Sequence, residues 1–470
     1  MKNYLKVVLA GLMFTPSAFA ISIDWTGTYR FEYTEIDRPS LSSIKQRKSY
    51  GLNTLNLGAK IVASDGFNIV SRFDVFPNQN PAYRNSNVGA LYGGGLPRSP
   101  SADADGSRTN TLSQNQESSI VRVSQLYLNV NQENGSLLVG RAPVHFGLGM
   151  TYNAGLNPFD HWFSSRDLLA YKFIVDDFYF MPAFAKVYSG DAQQGNEIND
   201  QILNFEYNNK ETGALIGLWH QTRKSSDQSN DTVEPGTPKF SGTKQSAFST
   251  QTVNFVLGRS WEKFGFKVEA SFLTGETGVY TAGEEIKVNA YGIASEFYFP
   301  NPESKWDFKL RAGMASGDDP TTTQYEGYQF NRNYDVAMLL FNHRLGKRDF
   351  LTTNLIKDTT NLDVGNSVDD EAIGNTMYLS PTVNYQWNDK VDVRNTLTYA
   401  QLMVNGTNAL DFQKDLGLEW DLEVVYRPRE RVQWINQFGL LLPGKAFKNG
   451  SEGLETGANV GLATKAAISF

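Results

Sequence analysis

Cysteine is absent from the 470 residues. An exported chain of this size must then be stable without disulfides. Long hydrophobic runs are missing too: beyond residue 20 nothing approaches the ~20 consecutive apolar residues of a membrane-spanning helix. With a mean hydropathy of −0.39, this excludes a helical membrane protein. Basic excess is likewise missing, and a formal charge of −7 argues against nucleic acid as a partner. Histidine occurs only four times. No P-loop, dinucleotide fingerprint or zinc spacing occurs, so neither a cofactor nor a metal is expected.

What the chain does have is aromatic residues and alternation. Phe, Trp and Tyr make up 13% of it, with 30 Phe and 22 Tyr. Residues 1–20 read as an export leader. Lys2 and Lys6 are its positive end, Val7 to Phe14 its apolar stretch and Ala18-Phe19-Ala20 its cleavage site. The site holds no cysteine, so a lipid anchor is not expected. Residues 21–470 read as one domain, because no linker separates two regimes of composition.

Through that domain apolar and polar residues alternate with period two. Trp25, Gly27, Tyr29, Phe31 and Tyr33 share one parity, and Thr26, Thr28, Arg30 and Glu32 the other. In a strand these sets point to opposite faces. The pattern returns at Leu55-Leu57-Ala59-Ile61-Ala63, at Trp306-Phe308-Leu310-Ala312-Met314 and at Leu416-Leu418-Trp420-Leu422-Val424-Tyr426. Each run lasts about ten residues, the length a tilted strand needs to cross a bilayer. Strands of soluble sandwiches are mostly shorter.

Short turns are expected at 64–66, 132–135, 176–177, 208–212, 261–264, 300–304, 388–390 and 428–430. Longer polar stretches lie between them, at 34–49, 77–119, 147–166, 190–200, 225–244, 276–285, 317–374, 405–413 and 443–453. Short turns on one rim and long loops on the other mark a transmembrane barrel. The expected fold is therefore all-β: an antiparallel up-and-down barrel of about eighteen strands. The run Tyr334–Phe341 is a candidate further strand. On this map Trp25, Phe67, Trp306, Trp387, Tyr426, Trp434 and Phe470 fall at the short-turn rim with outward parity, as an interfacial girdle does.

The inward parity is polar and of mixed sign. The pore-lining candidates are Arg30, Lys60, Arg72, Asp74, Arg141, Lys309, Arg311, Arg394, Glu419 and Asp421, with Glu32, Lys267, Glu269 and Glu423 on the same face. A polar interior means water, and mixed charge argues against strong ion selectivity. The loop 147–166 is rich in apolar residues for a solvated loop. Phe159, Asp160, His161, Trp162 and Phe163 are its constriction candidates. The loop 317–374 carries the apolar run Val336-Ala-Met-Leu-Leu-Phe341, which must also find cover. Enzymatic signals are weak: Asp160-His161 lies in an apolar loop with no second acidic pair, and His161 with Ser164 or Ser165 lacks an assignable third partner. Asp103-Ala-Asp105-Gly106 and Ser316-Gly-Asp318-Asp319 fall far short of a calcium loop and read as solvated acids.

Three stretches resemble porin-like outer-membrane barrels of Gram-negative bacteria and, more loosely, the alginate-export family. They are Leu138-Val-Gly-Arg141-Ala-Pro143 running into Phe146-Gly-Leu-Gly149; Ala315-Ser-Gly-Asp318 followed by Asn333-Tyr-Asp335; and Leu442-Pro-Gly-Lys-Ala-Phe447. The terminal run Leu462, Thr464, Ala466, Ile468, Phe470 resembles the closing strand that the outer-membrane assembly machinery reads. The resemblance implies an outer-membrane location, contact with lipid and lipopolysaccharide, and passive diffusion of small hydrophilic solutes. A channel selective for a sugar acid or polysaccharide, and a surface barrel with an occluded lumen, are the alternative readings. Association into a homo-oligomer is compatible with this fold. Deleting Phe470 is expected to lower the amount of protein recovered in outer-membrane fractions; unchanged recovery of the truncated chain contradicts this role.

Overall fold

A computed structural model describes residues 22–41, 47–75, 77, 121–189, 197–225, 244–245, 248–281, 284–346, 371–405, 413–448 and 457–470. The leader, the acids Asp103 and Asp105, and part of the loop 317–374 lie outside the described residues.

The chain begins with β1 (Ser22–Ile36), β2 (Lys48–Ser64), β3 (Phe67–Val75), β4 (Val121–Gln132), β5 (Gly135–Pro143) and β6 (Ser165–Val175). It continues with β7 (Phe178–Ser189), β8 (Glu197–Asn209), β9 (Ala214–Ser225), β10 (Lys244–Gln245), β11 (Ser249–Ser260), β12 (Gly265–Thr281) and β13 (Glu284–Phe299). It ends with β14 (Trp306–Ala315), β15 (Thr376–Asn388), β16 (Val391–Leu402), β17 (Asp415–Arg429), β18 (Val432–Pro443) and β19 (Asn459–Ser469). β10 is a two-residue piece paired with the far end of β12. The other eighteen strands form one closed antiparallel sheet, in which each pairs with its sequence neighbours and β19 returns to β1. At the seam, Thr28 to Ile36 lie opposite Ser469 to Gly461, and the amides of Gly27 and Phe470 each donate to the other's carbonyl at 2.9 Å.

The alternation explains this closure. Outward residues have no protein to cover them, so they remain exposed. Each of Trp25, Phe67, Trp306, Trp387, Tyr426, Trp434 and Phe470 is an exposed aromatic, and they cluster at the rim of short turns. Every expected short turn joins two paired strands. Two details differ from the sequence reading. Tyr334–Phe341 is no strand; it is irregular chain packed inside the barrel. Leu416 does not point outward with Leu418. A register shift between Ala400 and Gln401, at Gly417 (φ 107°), inserts one residue and turns Leu416 into the interior, where it is buried.

The buried apolar cluster is unlike that of a soluble domain, because it lies within the barrel. Leu41, Met150, Tyr328, Phe330, Val336, Leu339, Leu340, Phe341 and Ile373, all from loops, press against small inward wall residues such as Ala290, Ala294, Ala315 and Ala400. The wall is thinned where they seat. Gly439 and Gly461 are paired neighbours on β18 and β19. A Cβ on Gly461 would stand 2.6 Å from Leu339 Cδ2, and one on Gly439 3.0 Å from Met338 Sδ. A sheet bonded all the way round resists SDS until heated. The mature protein is expected to migrate faster unheated than boiled; equal mobility would contradict the closed barrel.

Candidate pore and its inward loops

The inward wall carries charge in neighbouring pairs. Lys309 lies 3.0 Å from Glu296, Arg394 2.7 Å from Glu423, Arg72 3.0 Å from Asp74 and Arg30 2.7 Å from Glu32. Arg166 and Arg223 converge on the fully buried Asp200 at 3.2 and 2.7 Å. This triad was not among the sequence candidates, because its members sit on three different strands. Lys60 stands opposite Asp24 near the short-turn rim, exposed to the interior.

Arg141 is a correction. It was expected to line the pore, but its register partners are Leu126 and Asp167, and Leu126 is an exposed outward residue. Paired residues share a face, so Arg141 points outward, where it pairs with Asp167 at 2.7 Å. Inward parity passes instead to Ala142, which is buried.

The loop after β5 enters the barrel. Phe146 and Tyr152 pack on the buried Trp219 of β9, with ring centroids 6.1 and 5.0 Å away, and the Tyr152 hydroxyl donates to Gln221 at 2.7 Å. The amides of Leu148, Met150 and Thr151 donate to the Glu269 carboxylate of β12 at 2.7, 3.2 and 3.2 Å. Farther along, the same loop meets β1 and β3, nearly across the barrel. Arg30 donates to the carbonyls of Asp160 (2.7 Å) and Pro158 (3.3 Å), and His161 Nε2 lies 2.9 Å from Glu32 Oε1. The Arg72 guanidinium sits 4.9 Å above the Phe163 ring. His161 is thus tied to a wall carboxylate of β1.

The loop after β14 enters from the other side. Glu419 accepts from the amides of Leu339 (2.6 Å) and Leu340 (2.7 Å), and Asp421 from that of Met338 (3.2 Å). Arg311 donates to the carbonyls of Asp335 (2.5 Å) and Val336 (3.3 Å), and the hydroxyls of Ser380 and Thr398 donate to the latter. Glu419 therefore faces inward but is fully buried beneath the loop and does not line the open lumen. Asp319 is an exposed turn acid that accepts from the Thr321 amide and hydroxyl, whereas Asp318, expected to be solvated, is buried and accepts from the Glu326 amide. His343 of this loop is buried. Burial first, and then the nearby charges of Lys48, Lys465 and His161, hold its imidazole well below its ordinary value.

The two loops also bond to each other. Asn331 N donates to Met150 O at 2.6 Å, Trp162 N to Asn333 Oδ1 at 3.0 Å and Asn333 Nδ2 back to Trp162 O at 2.5 Å. Arg332 stacks over Trp162 at 4.3 Å. Among the described residues, polar space remains between the loops and the wall, and two parts of it share a border. One, of about 300 Å³, is lined by residues including Glu32, Phe159, Asp160, His161, Arg332 and Lys465. The other, of about 420 Å³, is lined by Lys309, Arg311, Thr382, Asn384 and Asp421 among others. Asp335, Met338, Arg394, Glu423 and Gln437 border both.

No protein-family model and no curated protein sequence matches the chain. Solved structures do. A BenF-like porin from Pseudomonas fluorescens Pf-5 superposes with a TM-score of 0.51 at 9% identity, over 96% of this chain and 98% of its own. OccAB3 of Acinetobacter baumannii gives 0.51 at 10% identity over 96% and 99%, and OccK9 (OpdG) of Pseudomonas aeruginosa gives 0.50 at 12% over 96% and 98%. The chain therefore has the eighteen-strand barrel fold of these porins over nearly its whole length. The looser likeness to alginate exporters is not supported: these matches are porins, and the lumen charge is mixed. Because Leu339 is fully buried in the lumen cluster, Leu339→Ala should cost about 2–5 kcal/mol of packing. The expected result is faster protease cleavage within 317–374 while the heat-dependent gel shift is retained.

Proposed function

We propose that the chain is an outer-membrane channel through which small hydrophilic solutes diffuse, narrowed by its loops 147–166 and 317–374. The observation that carries this reading is the pair of polar spaces bordered in common by Asp335, Met338, Arg394, Glu423 and Gln437. They lie between a charged wall and two loops packed against it, and a barrel this wide leaves room that strand side chains do not fill. Lys309, Arg311 and Arg394 stand beside Asp335, Asp421 and Glu423, so the lining is close to neutral and favours weak ion selectivity. The exposed aromatic girdle is the surface offered to outer-membrane lipid. Phe470, whose backbone closes the seam, is the end offered to the assembly machinery.

Planar-bilayer recording tests this. The wild-type protein is expected to give discrete conductance steps; a silent, correctly folded barrel would favour the occluded reading. Deleting Phe159–Phe163 should raise the step size. Arg394→Gln leaves Glu423 without its 2.7 Å partner and should shift the reversal potential toward cations. Arg141→Gln, on the outward face, should leave it unchanged.

A further inference from the structure

Two wall carboxylates do something other than line a pore. Glu269 on β12 and Glu419 on β17 point inward and are both fully buried. Sealing a carboxylate from water is costly unless its oxygens find donors. Here the donors come from the loops, and they are backbone amides: Leu148, Met150 and Thr151 for Glu269, Leu339 and Leu340 for Glu419. Successive amides turned toward one point make a concave anion site. In each loop that site is filled by a carboxylate from the opposing strand. The fit is close. Gly147 has φ 58°, and a Cβ there would stand 2.7 Å from Glu269 Oε2.

We propose that Glu269 and Glu419 are positioning residues that latch the two inward loops to the wall and so set the size limit of the pore. The inference rests on the channel reading above. The dependence is mutual. If a loop lifts, its amides lose the carboxylate that accepts from them, and the carboxylate loses its loop donors. A half-lifted loop is therefore disfavoured, and each loop is held either down or free. The latches are also joined. Met150 donates its amide to Glu269 and accepts from Asn331 of the other loop at its carbonyl, at 3.2 and 2.6 Å. Releasing one loop should loosen the other.

Neutral sugars of increasing size distinguish a latch from an ordinary wall charge, because they do not respond to charge. The full chain would be placed in liposomes, and swelling followed with arabinose, glucose, sucrose and raffinose, for wild type, Glu269→Gln, Glu419→Gln and Gly147→Ala. Each variant is expected to admit a larger sugar than the wild type, with sucrose entry rising by roughly threefold or more, while the heat-dependent gel shift is kept. Gly147→Ala attacks the same contact from the loop, so it decides the matter if Glu269→Gln fails to fold. Folded variants that keep the wild-type size limit overturn the latch, even if their reversal potentials change. If the wild type admits no sugar and the variants do, the channel reading fails and the latch stands. If none admits sugar, the latch falls as well.

Discussion

Backbone hydrogen bonding between β1 and β19 is the constraint on which the rest of the structure depends. In hydrocarbon an unpaired amide or carbonyl has no water to turn to, so a sheet can cross a bilayer only if it has no edge. Opposed amides and carbonyls at Gly27 and Phe470 join its first and last strands. Once the sheet is closed, each residue has only two places to point, and the period-two pattern sorts aromatics to the outside and charges to the interior.

Closure with eighteen strands creates the next problem. The enclosed space is too wide for strand side chains to fill. Here two loops enter it, each by the same combination of forces. Apolar loop residues leave water for sockets on the wall: Leu339 seats at Gly461, and Phe146 against Gly217 and Trp219. Their backbone amides cannot be left bare in that setting, and Glu269, Glu419 and Asp421 accept them. Polar wall residues thus serve two purposes: some border the remaining space, and others are consumed in holding the loops that shape it. Arg311 belongs to both groups, since it touches the loop carbonyls and lines the larger space.

This division explains which candidates stay in the lumen. Lys309, Arg311, Arg394 and Asp421 line its polar space. Arg30, Arg72 and Asp74 are engaged with the first loop or with one another, and Glu32 is tied to His161 while still bordering the smaller space. Inward parity could not separate the groups, because both look alike along a strand. Arg141 was misread for a different reason. β5 is apolar on both parities, at Leu137, Leu138 and Val139, so the face of Arg141 is settled only by its neighbours Leu126 and Asp167 on β4 and β6. A sequence signal for the sockets does exist: Gly439, Gly461, Ala290 and Ala294 are small residues at inward positions, where a solvated lumen would not require them.

The sequence by itself determined the barrel. Alternation, turn spacing and terminal aromatic residues are local properties, and each strand carries its own copy, so strand number, outward girdle and closing end were all legible. Only the tertiary structure decided what fills the lumen. Which loop amides meet Glu269 or Glu419 depends on contacts between residues some eighty to 121 positions apart in the chain. No periodicity records such pairings. They arise because burying apolar loop residues and satisfying their backbone must occur at one place on the wall.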